Sequence, residues 1–534
     1  MVLPLFAIYD TIKKIITWGK ESMNRLVKIL FSRVFIVVAL LLLQLFVLFA
    51  TIWYLAQYYV YVYVAFTLFG LCVVIRIINK NMNPGYKLAW SIAIMIFPVF
   101  GGLLYLLFGG SRSSRDFKMS METEYLHTIP YYRLQPQLQA IIAAEDADVA
   151  QQCYYLENTC GFPLYRNTET EYLSPGEEMY QRLMEELEKA EHYIFMEYFI
   201  IAEGKMWDSV RELLIRKAKA GVDVRLVYDD AGSISTLPYQ YYKQLEKYGI
   251  KSAAFQPFTP KMTFRLNNRD HRKITVIDGH TGFCGGANLA DEYINEKERF
   301  GHWKDAAVML KGEAVWSLTL MFLYVWHIAH RGAMEDYSEF RPQVHVGGDF
   351  CGAGYVQPYA DSPRHEETIG AMVYMNIINR ASDYVYIETP YLILDNELQT
   401  ALCLAAKSCI DVRIITPGIP DKKYVFMVTR SYYPQLLEAG VRIFEYTPGF
   451  IHSKVFVSDD KVSTVGTVNL DYRSLYLHFE CGVWMYKTPA VDAAKADFLQ
   501  TQALSKEITL EDCRKVKWYT RLVRSVLRAF APLL

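Results

Sequence analysis

The apolar and polar positions of the chain divide it into a long uncharged region followed by a region of alternating strands and helices. No charged residue occurs over 34–75, and a second uncharged run covers 88–108. A membrane span needs about 20 apolar residues, so the first run is long enough for two. Pro98 interrupts the second run, which either crosses or re-enters the bilayer. The pattern predicts a transmembrane segment over 34–110, with two or three apolar spans left open.

Beyond residue 160 the periodicity changes from strand to helix and back, and this alternation occurs twice. The first instance comprises a helix beginning near Gly176, a strand over 192–201, a helix over 207–220 and a buried strand over 222–228. The second comprises a strand over 383–394, a helix over 398–407 and a strand over 412–416. Such alternation predicts an α/β fold with two homologous halves, each a mixed or parallel sheet covered by helices. The apolar stretch 313–330 is predicted to be a buried packing helix rather than a span.

These patterns give a domain organisation of six segments. They are a basic cytoplasmic flank over 1–33, the transmembrane segment over 34–110, a polar and irregular linker over 111–160, a first half over 161–345, a second half over 346–510, and a basic amphipathic tail over 511–534. The excess of cations in the first segment places it on the cytoplasmic side. The tail either lies on an anionic bilayer surface or packs on its own domain.

Charge and cysteine content exclude several classes of protein. The formal net charge is −1, so the chain has no broad basic surface for nucleic acid. Its nine cysteines are scattered and show no zinc-ligand spacing, which argues against a disulfide framework or a structural zinc site.

Candidate chemistry begins at a predicted strand over 271–277. His271 and Lys273 are two positions apart and therefore face the same side of a strand. Asp278 has the opposite parity and precedes Gly279, a position where a carboxylate ties down a turn. An imidazole beside an ammonium group forms a phosphate site, because one can attack or transfer protons while the other neutralises oxygens.

The same pattern recurs in the second half. His452, Lys454 and Asp459 each lie 181 positions after their counterparts in the first copy. The offset also relates Gly285 to Gly466 and Asn288 to Asn469. Two copies in register across a turn indicate a functional site.

Phosphodiester exchange requires a nucleophile, an acid for the leaving alkoxide and positive charge around the phosphoryl oxygens. Two histidines and two lysines supply all of these, and a histidine pKa near 6.5 suits alternation between acid and base. Glu197 and Glu388 are interior-strand carboxylates at matching positions. They either support the site from behind or form ion pairs with an arginine.

The motifs Asn267-Asn268-Arg269-Asp270-His271-Arg272-Lys273 and Pro448-Gly449-Phe450-Ile451-His452-Ser453-Lys454 resemble those of the two-copy HKD phospholipase D superfamily. Within it, they are similar to bacterial cardiolipin synthases. The resemblance implies three sets of site residues: catalytic His271, Lys273, Asp278, His452, Lys454 and Asp459; phosphate-binding Asn288 and Asn469; and histidine-orienting Asp305 and Glu480. It also implies that His271 is the nucleophile and His452 the acid/base, with no metal and no cofactor.

The family implies a phosphatidyltransferase of the bacterial cell membrane. One phosphatidylglycerol would donate its phosphatidyl group to another, giving cardiolipin and glycerol through a phosphohistidine. The implied partners are phosphatidylglycerol, other anionic phospholipids and the bilayer, with neither nucleic acid nor an obligate protein partner. The alternatives are a phospholipase D-like hydrolase, a phosphatidylserine synthase and a non-catalytic lipid-binding scaffold. Sequence leaves open which side of the membrane the catalytic region faces.

Overall fold

The computed structural model describes residues 33–54, 58–109, 115–257, 268–332, 334–345, 350–363 and 367–533. The predicted basic flank lies outside these residues apart from Arg33, and so does Asn267 of the first motif. The chain forms two compact units, Met1–Gly110 and Ser111–Leu534.

The first unit is helical. Its helices are α1 (Arg33–Tyr54), α2 (Tyr59–Ile78), α3 (Pro84–Ile96) and α4 (Pro98–Phe108). The break between α3 and α4 lies at Phe97, whose φ of −130° and ψ of 77° are not helical, because a residue that precedes proline is disfavoured in the α conformation. Over the described ranges, no helix has both the length and the apolar character needed to cross a membrane. The predicted spans are therefore not confirmed.

The segment predicted as an irregular linker is largely helical. It contains α5 (Arg115–Thr128), α6 (Pro136–Glu145) and α7 (Ala147–Tyr154). The Asp146 carboxylate begins α7 by accepting hydrogen bonds from the backbone N–H groups of Asp148 and Val149, both at 3.2 Å. Gln152 of α7 accepts a 3.0 Å hydrogen bond from the buried indole of Trp484. These helices thus pack on the α/β halves and do not form an irregular linker.

The first half is built on a seven-stranded mixed sheet in the order β1-β8-β6-β5-β2-β3-β4. Its strands are β1 (Thr168–Leu173), β2 (Tyr193–Tyr198), β3 (Asp223–Asp229), β4 (Lys251–Phe255), β5 (Lys273–Ile277), β6 (Thr281–Gly285) and β8 (Ala307–Gly312), with β7 (His302–Lys304) outside the sheet. Its helices are α8 (Gly176–Lys189), α9 (Lys205–Lys219), α10 (Tyr242–Glu246), α11 (Val315–His330) and α12 (Pro342–His345). Strands β2, β3 and β4 run parallel, and the others antiparallel.

The second half repeats this plan in an eight-stranded sheet, β17-β12-β11-β10-β14-β15-β16-β9. Its strands are β9 (Tyr355–Asp361), β10 (Tyr384–Glu388), β11 (Asp411–Pro417), β12 (Arg442–Tyr446), β14 (Val455–Ser458), β15 (Val462–Gly466), β16 (Glu480–Tyr486) and β17 (Ser505–Ile508), with β13 (Gly449–Ile451) outside the sheet. Its helices are α13 (Ile369–Arg380), α14 (Asn396–Lys407), α15 (Lys423–Ala439), α16 (Tyr472–Tyr476) and α17 (Pro489–Ala503). The chain continues into α18 (Leu510–Arg514), α19 (Trp518–Ala529) and a 3-10 turn (Ala531–Leu533).

The predicted α/β fold with two homologous halves is confirmed. In each sheet a central antiparallel strand, β5 or β14, continues from a motif histidine and pairs with the strand of an interior glutamate, β2 or β10. The stretch 313–330 is indeed a buried helix, α11, which packs against the first sheet and β9.

The two halves contact each other through a short pair of strands and a buried side-chain contact. Strand β7 of the first half pairs in parallel with β13 of the second. The thiols of Cys284 on β6 and Cys481 on β16, both buried, lie 3.6 Å apart where the two sheets meet. This contact brings both motifs into one site.

Candidate active site

Each motif histidine is held by backbone pairing with the opposite half. The N–H of His271 donates to the carbonyl of Phe479 at 2.9 Å, and the N–H of His452 donates to that of Lys304 at 2.7 Å. The prediction that strand β5 begins at residue 271 therefore differs from the structure, in which it begins at Lys273. The preceding residues pair across the interface instead of within their own sheet.

The imidazoles are held by carboxylates that also come from the opposite half. Nδ1 of His271 lies 3.0 Å from both carboxylate oxygens of Glu480. Nδ1 of His452 lies 2.7 Å from Oδ2 of Asp305. Both carboxylates are fully buried. The two predicted histidine-orienting residues thus each contact the histidine of the other copy, and in both rings Nδ1 is the nitrogen that the carboxylate contacts.

The two motif lysines are buried beside the histidines. Each ammonium group donates to the backbone carbonyl of the histidine two residues earlier, from Lys273 to His271 and from Lys454 to His452. Nζ of Lys454 also lies 3.0 Å from Nδ1 of His452. Two histidine–lysine pairs therefore share one desolvated cleft, an arrangement that could bind an anion.

Burial sets the ionisation of these bases. Desolvation, together with the charge of Lys454, lowers the pKa of His452 to about 4. Desolvation and the charge of Lys273 hold the pKa of His271 well below its usual value. Desolvation also lowers the pKa of Lys273 to about 8 and that of Lys454 to about 7. The predicted histidine pKa near 6.5 is therefore wrong for this state, because solvent cannot stabilise the cations.

The carboxylates differ between the two histidines. Burial acts to raise the pKa of Asp305, but the charges of His452 and Lys454 outweigh it and lower that pKa. Burial instead dominates at Glu480, whose pKa is raised well above the usual value. Asp305 is therefore ionised and available to stabilise an imidazolium at His452.

The motif aspartates lie at turns and not beside the imidazoles. The carboxylate of Asp278 accepts 2.8 Å hydrogen bonds from three consecutive backbone N–H groups, those of Glu191, His192 and Tyr193. Asp459 accepts equivalent bonds from Ser382, Asp383 and Tyr384 at 2.8–3.0 Å. Opposite strand parity turns these side chains away from the cleft, as the sequence predicts, and a catalytic role for Asp278 and Asp459 stays a prediction.

The two motif asparagines have unequal surroundings. Oδ1 of Asn288 accepts from the N–H of Ile200 at 2.9 Å, and its Nδ2 donates to the Tyr293 hydroxyl at 2.7 Å. Oδ1 of Asn469 has no hydrogen-bond partner among the described residues. Binding of substrate phosphate by these amides stays a prediction.

The interior glutamates support the residue that lies between histidine and lysine in each motif. Oε1 of Glu197 lies 2.8 Å from Nε of Arg272, which is the arginine ion pair left open by the sequence. In the second copy, Ser453 donates to the Glu388 carboxylate instead. Both pairs are buried behind the histidines and hold the motif backbone in place.

His478 was not identified from the sequence, although it precedes Glu480 by two positions. Its ring centroid lies 5.8 Å from that of His271, and its Nδ1 lies 3.9 Å from a Glu480 oxygen. Ligand atoms of these three residues all lie within 4.8 Å of one another, so the set could hold a metal ion. The His-x-Glu spacing was the available signal.

Comparison with known proteins agrees with this geometry. A family model described as cardiolipin synthase, PLD-like domain, matches residues 183–312 and 374–502, and one described as phospholipase D-nuclease N-terminal matches 65–110. The chain is 35% identical over 475 residues to a cardiolipin synthase of Alkalihalophilus pseudofirmus, covering 88% of this chain and 93% of the relative. It is 36% identical to cardiolipin synthase 2 of Bacillus anthracis, covering 88% and 91%.

A crystal structure of phosphatidylserine synthase from Haemophilus influenzae has the same fold. It superimposes with a TM-score of 0.54 at 15% identity, covering 71% of this chain and 96% of that one. At this identity the likeness concerns the fold alone.

Proposed function

The chain belongs to the family of bacterial cardiolipin synthases with two phospholipase D-like domains, and from this premise we propose that it transfers a phosphatidyl group from one phosphatidylglycerol to another. The products are cardiolipin and glycerol. The observation that carries the proposal is the pair of buried imidazoles, each held at Nδ1 by a carboxylate of the opposite half and each accompanied by a lysine. This arrangement supports two-step phosphoryl chemistry on a lipid phosphodiester.

In the first step, Nε2 of His271 attacks phosphorus, a P–N bond forms and the P–O bond to glycerol breaks. His452 gives its proton to the departing glycerol oxygen. In the second step, His452 removes the proton from a hydroxyl of the second phosphatidylglycerol, whose oxygen displaces His271 from phosphorus. Ionised Asp305 supports this assignment, because it stabilises the proton that His452 must carry.

The negative charge of the substrate changes the protonation of the two histidines and two lysines. Without an anion, burial keeps both imidazoles neutral and weakens the protonation of both lysines. A bound phosphodiester places a negative charge among them and raises all four pKa values. Lys273 and Lys454 then neutralise the phosphoryl oxygens, and no step requires a metal or cofactor.

We propose that the enzyme acts at the bacterial cell membrane, with residues 34–110 as its multi-pass anchor. The 42 uncharged residues over 34–75 and the family match over 65–110 support this. Alkaline carbonate extraction of membranes from expressing cells tests it. Retention of the chain in the pellet is expected, and quantitative release would contradict anchoring.

The experiment that tests the function uses purified full-length protein and phosphatidylglycerol as the sole lipid, with mass spectrometry of lipid and aqueous products. Cardiolipin and glycerol in equal amounts are expected, and His271→Ala should form neither. Phosphatidic acid without cardiolipin would identify a hydrolase instead. Addition of serine would reveal a phosphatidylserine synthase, and turnover of no lipid would favour a binding scaffold.

A further inference from the structure

The C-terminal helix α19 exposes an apolar stripe on the surface of the second compact unit, Ser111–Leu534. Trp518, Leu522 and Val526 recur every four residues and are 73%, 57% and 52% exposed. Residues at this spacing lie on one face of a helix. Tyr519 and Val523 widen the stripe and are also exposed. A soluble surface would normally turn such residues inward.

The inward side of α19 carries cationic side chains. The guanidinium of Arg528 donates to the carbonyl of Ser431 and to Oε1 of Gln399, both at 3.0 Å. It also lies 4.2 Å from the ring centroid of Tyr432 on α15. Arg524 is partly buried, which lowers its pKa. Arg528 thus fixes which face of the helix packs inward, and the apolar stripe lies on the exposed face.

The charge around the stripe is uniformly positive. Residues 514–534 contain no acidic residue and six cations, of which Arg524 and Arg528 lie on the inward side. Lys517 and Arg521 are exposed beside Trp518 and Leu522. An apolar stripe with a cationic border is complementary to a bilayer that contains anionic lipid. Acyl chains can cover the apolar side chains, and lipid phosphates can pair with the cations.

The helix is also joined to the catalytic site. The 3-10 turn that follows it, Ala531–Leu533, packs against α16. Helix α16 lies in the short segment between Asn469 and Glu480, which holds His271. A surface that binds α19 is therefore brought close to the chain segment that completes the site.

We propose that α19 is an interfacial docking helix, which inserts its stripe at the acyl boundary of an anionic bilayer. The inference deepens the proposed function and rests on it only for its kinetic consequence. Docking would bring the second half of the site to the leaflet from which phosphatidylglycerol enters. The competing occupant, a second copy of this chain, is distinguished by the experiments below.

Photo-crosslinking tests contact directly and does not depend on turnover. Full-length protein carrying benzoylphenylalanine at Trp518 is irradiated in vesicles of phosphatidylglycerol and phosphatidylcholine. The matched control carries it at Tyr239, an aromatic residue 70% exposed in the first half. A peptide with the mass of an attached phospholipid is expected at 518 and not at 239. A protein–protein adduct at 518, or no adduct, would overturn the proposal.

Kinetics then test the consequence. In Leu522→Glu, a carboxylate replaces an apolar side chain that the bilayer would bury, so turnover of vesicle-borne phosphatidylglycerol should fall about tenfold. Turnover of monomeric short-chain phosphatidylglycerol should stay within about twofold, because it needs no docking. The control is Leu504→Glu, since Leu504 is also 57% exposed. Equal losses with both substrates would contradict docking, whereas an inactive parent protein would refute the proposed function alone.

Discussion

At the scale of single residues, the active site is defined by which carboxylate contacts which imidazole. Glu480 holds His271 and Asp305 holds His452, so each half supplies the partner for the other half's histidine. In the proposed mechanism, a carboxylate at Nδ1 fixes the tautomer and stabilises the charge that develops when Nε2 bonds to phosphorus or to a proton. Substitution of the carboxylate in one half should therefore impair the histidine of the other half.

This dependence of each histidine on the opposite half can be tested with a phosphatidyl donor that has an activated leaving group and needs no general acid. His271 should still become phosphorylated in Asp305→Asn and in His452→Ala, and the intermediate should accumulate, because the base that activates the acceptor is weakened in the first variant and absent from the second. Glu480→Gln should slow its formation roughly 100-fold, since an amide cannot stabilise the positive charge that the His271 ring gains when Nε2 bonds to phosphorus. Acid-labile labelling and peptide mapping measure this. Label on His452 in the His271→Ala protein would reverse the assignment.

Stability should respond to the buried Lys454 in a pH-dependent manner. Its folded pKa is about 7 against an ordinary 10.5, because burial disfavours the ammonium. The unfolded chain therefore binds the proton more tightly, and this destabilisation is complete below pH 7 and disappears as pH rises toward 10.5. Lys454→Met should raise Tm by roughly 3 °C at pH 7 and leave it unchanged near the ordinary pKa.

Calorimetry over this pH range checks the prediction. Lys219→Met, at an exposed position, is the control and should change Tm little at any pH. A Tm increase in Lys454→Met that grows with pH has the wrong sign and would refute the assignment.

His478, which lies beside His271 and Glu480, leads to a prediction about the effect of metal ions. We expect full activity in a chelator, because the two lysines supply the positive charge at the phosphate. Added zinc should inhibit by occupying His271, His478 and Glu480, whose ligand atoms lie within 4.8 Å of one another. His478→Asn should weaken this inhibition. Activity that is lost in chelator and restored by metal would show that the ion takes part in catalysis.

At the scale of elements, the turn after each motif strand is fixed to the start of its neighbour. Three backbone N–H groups at the start of β2 donate to Asp278, and three at the start of β10 donate to Asp459. Each carboxylate therefore fixes the end of the strand that follows its histidine to the start of the neighbouring strand.

Asp278→Ala should therefore reduce stability far more than catalysis. The loss of three hydrogen bonds to a charged group should lower the free energy of unfolding by about 3 kcal/mol. The kcat of the remaining folded enzyme should fall less than about tenfold. Urea unfolding and assays at low temperature separate the two effects, with exposed Asp208→Ala as the control. A large loss of kcat at unchanged stability would return Asp278 to the catalytic set.

At the scale of the whole molecule, the two halves pack within one compact unit, Ser111–Leu534. Backbone pairing of β7 with β13 and the buried contact of Cys284 with Cys481 join the two sheets. Because each histidine's partner lies across this interface, separation of the halves would expose four buried ionisable groups at once.

Hydrogen exchange during urea unfolding should therefore show both halves losing protection together. Peptides covering β5 and β14 are expected to share one midpoint. Cys481→Asp, which places a charge at the interface, should lower that midpoint for both peptides, whereas Cys409→Asp at an exposed position should not. Separate midpoints in the parent protein would indicate independent domains.

Much of this architecture could be predicted from the sequence. The hydrophobic pattern predicted α8, α9, β2 and β3 in the first half and β10, α14 and β11 in the second, because the helices bury one face and the strands are short apolar runs. The 181-residue offset identified both motifs, since strand parity and residue chemistry are local properties. Helices α5 and α6 were missed because their sequences carry no clear apolar stripe, and α7 was missed because it is only eight residues long.

Only the tertiary structure decided how the two motifs act together. The exchange of Asp305 and Glu480 between histidines depends on the packing of one half against the other, which no local spacing encodes. The lowered pKa values of His271 and His452 likewise arise from burial at that interface. The outward apolar stripe of α19 was decided in the same way, because the polar contacts of Arg528 select the face that packs inward. Sequence determined the chemical groups and their strands, while packing between the halves determined their partners and charge.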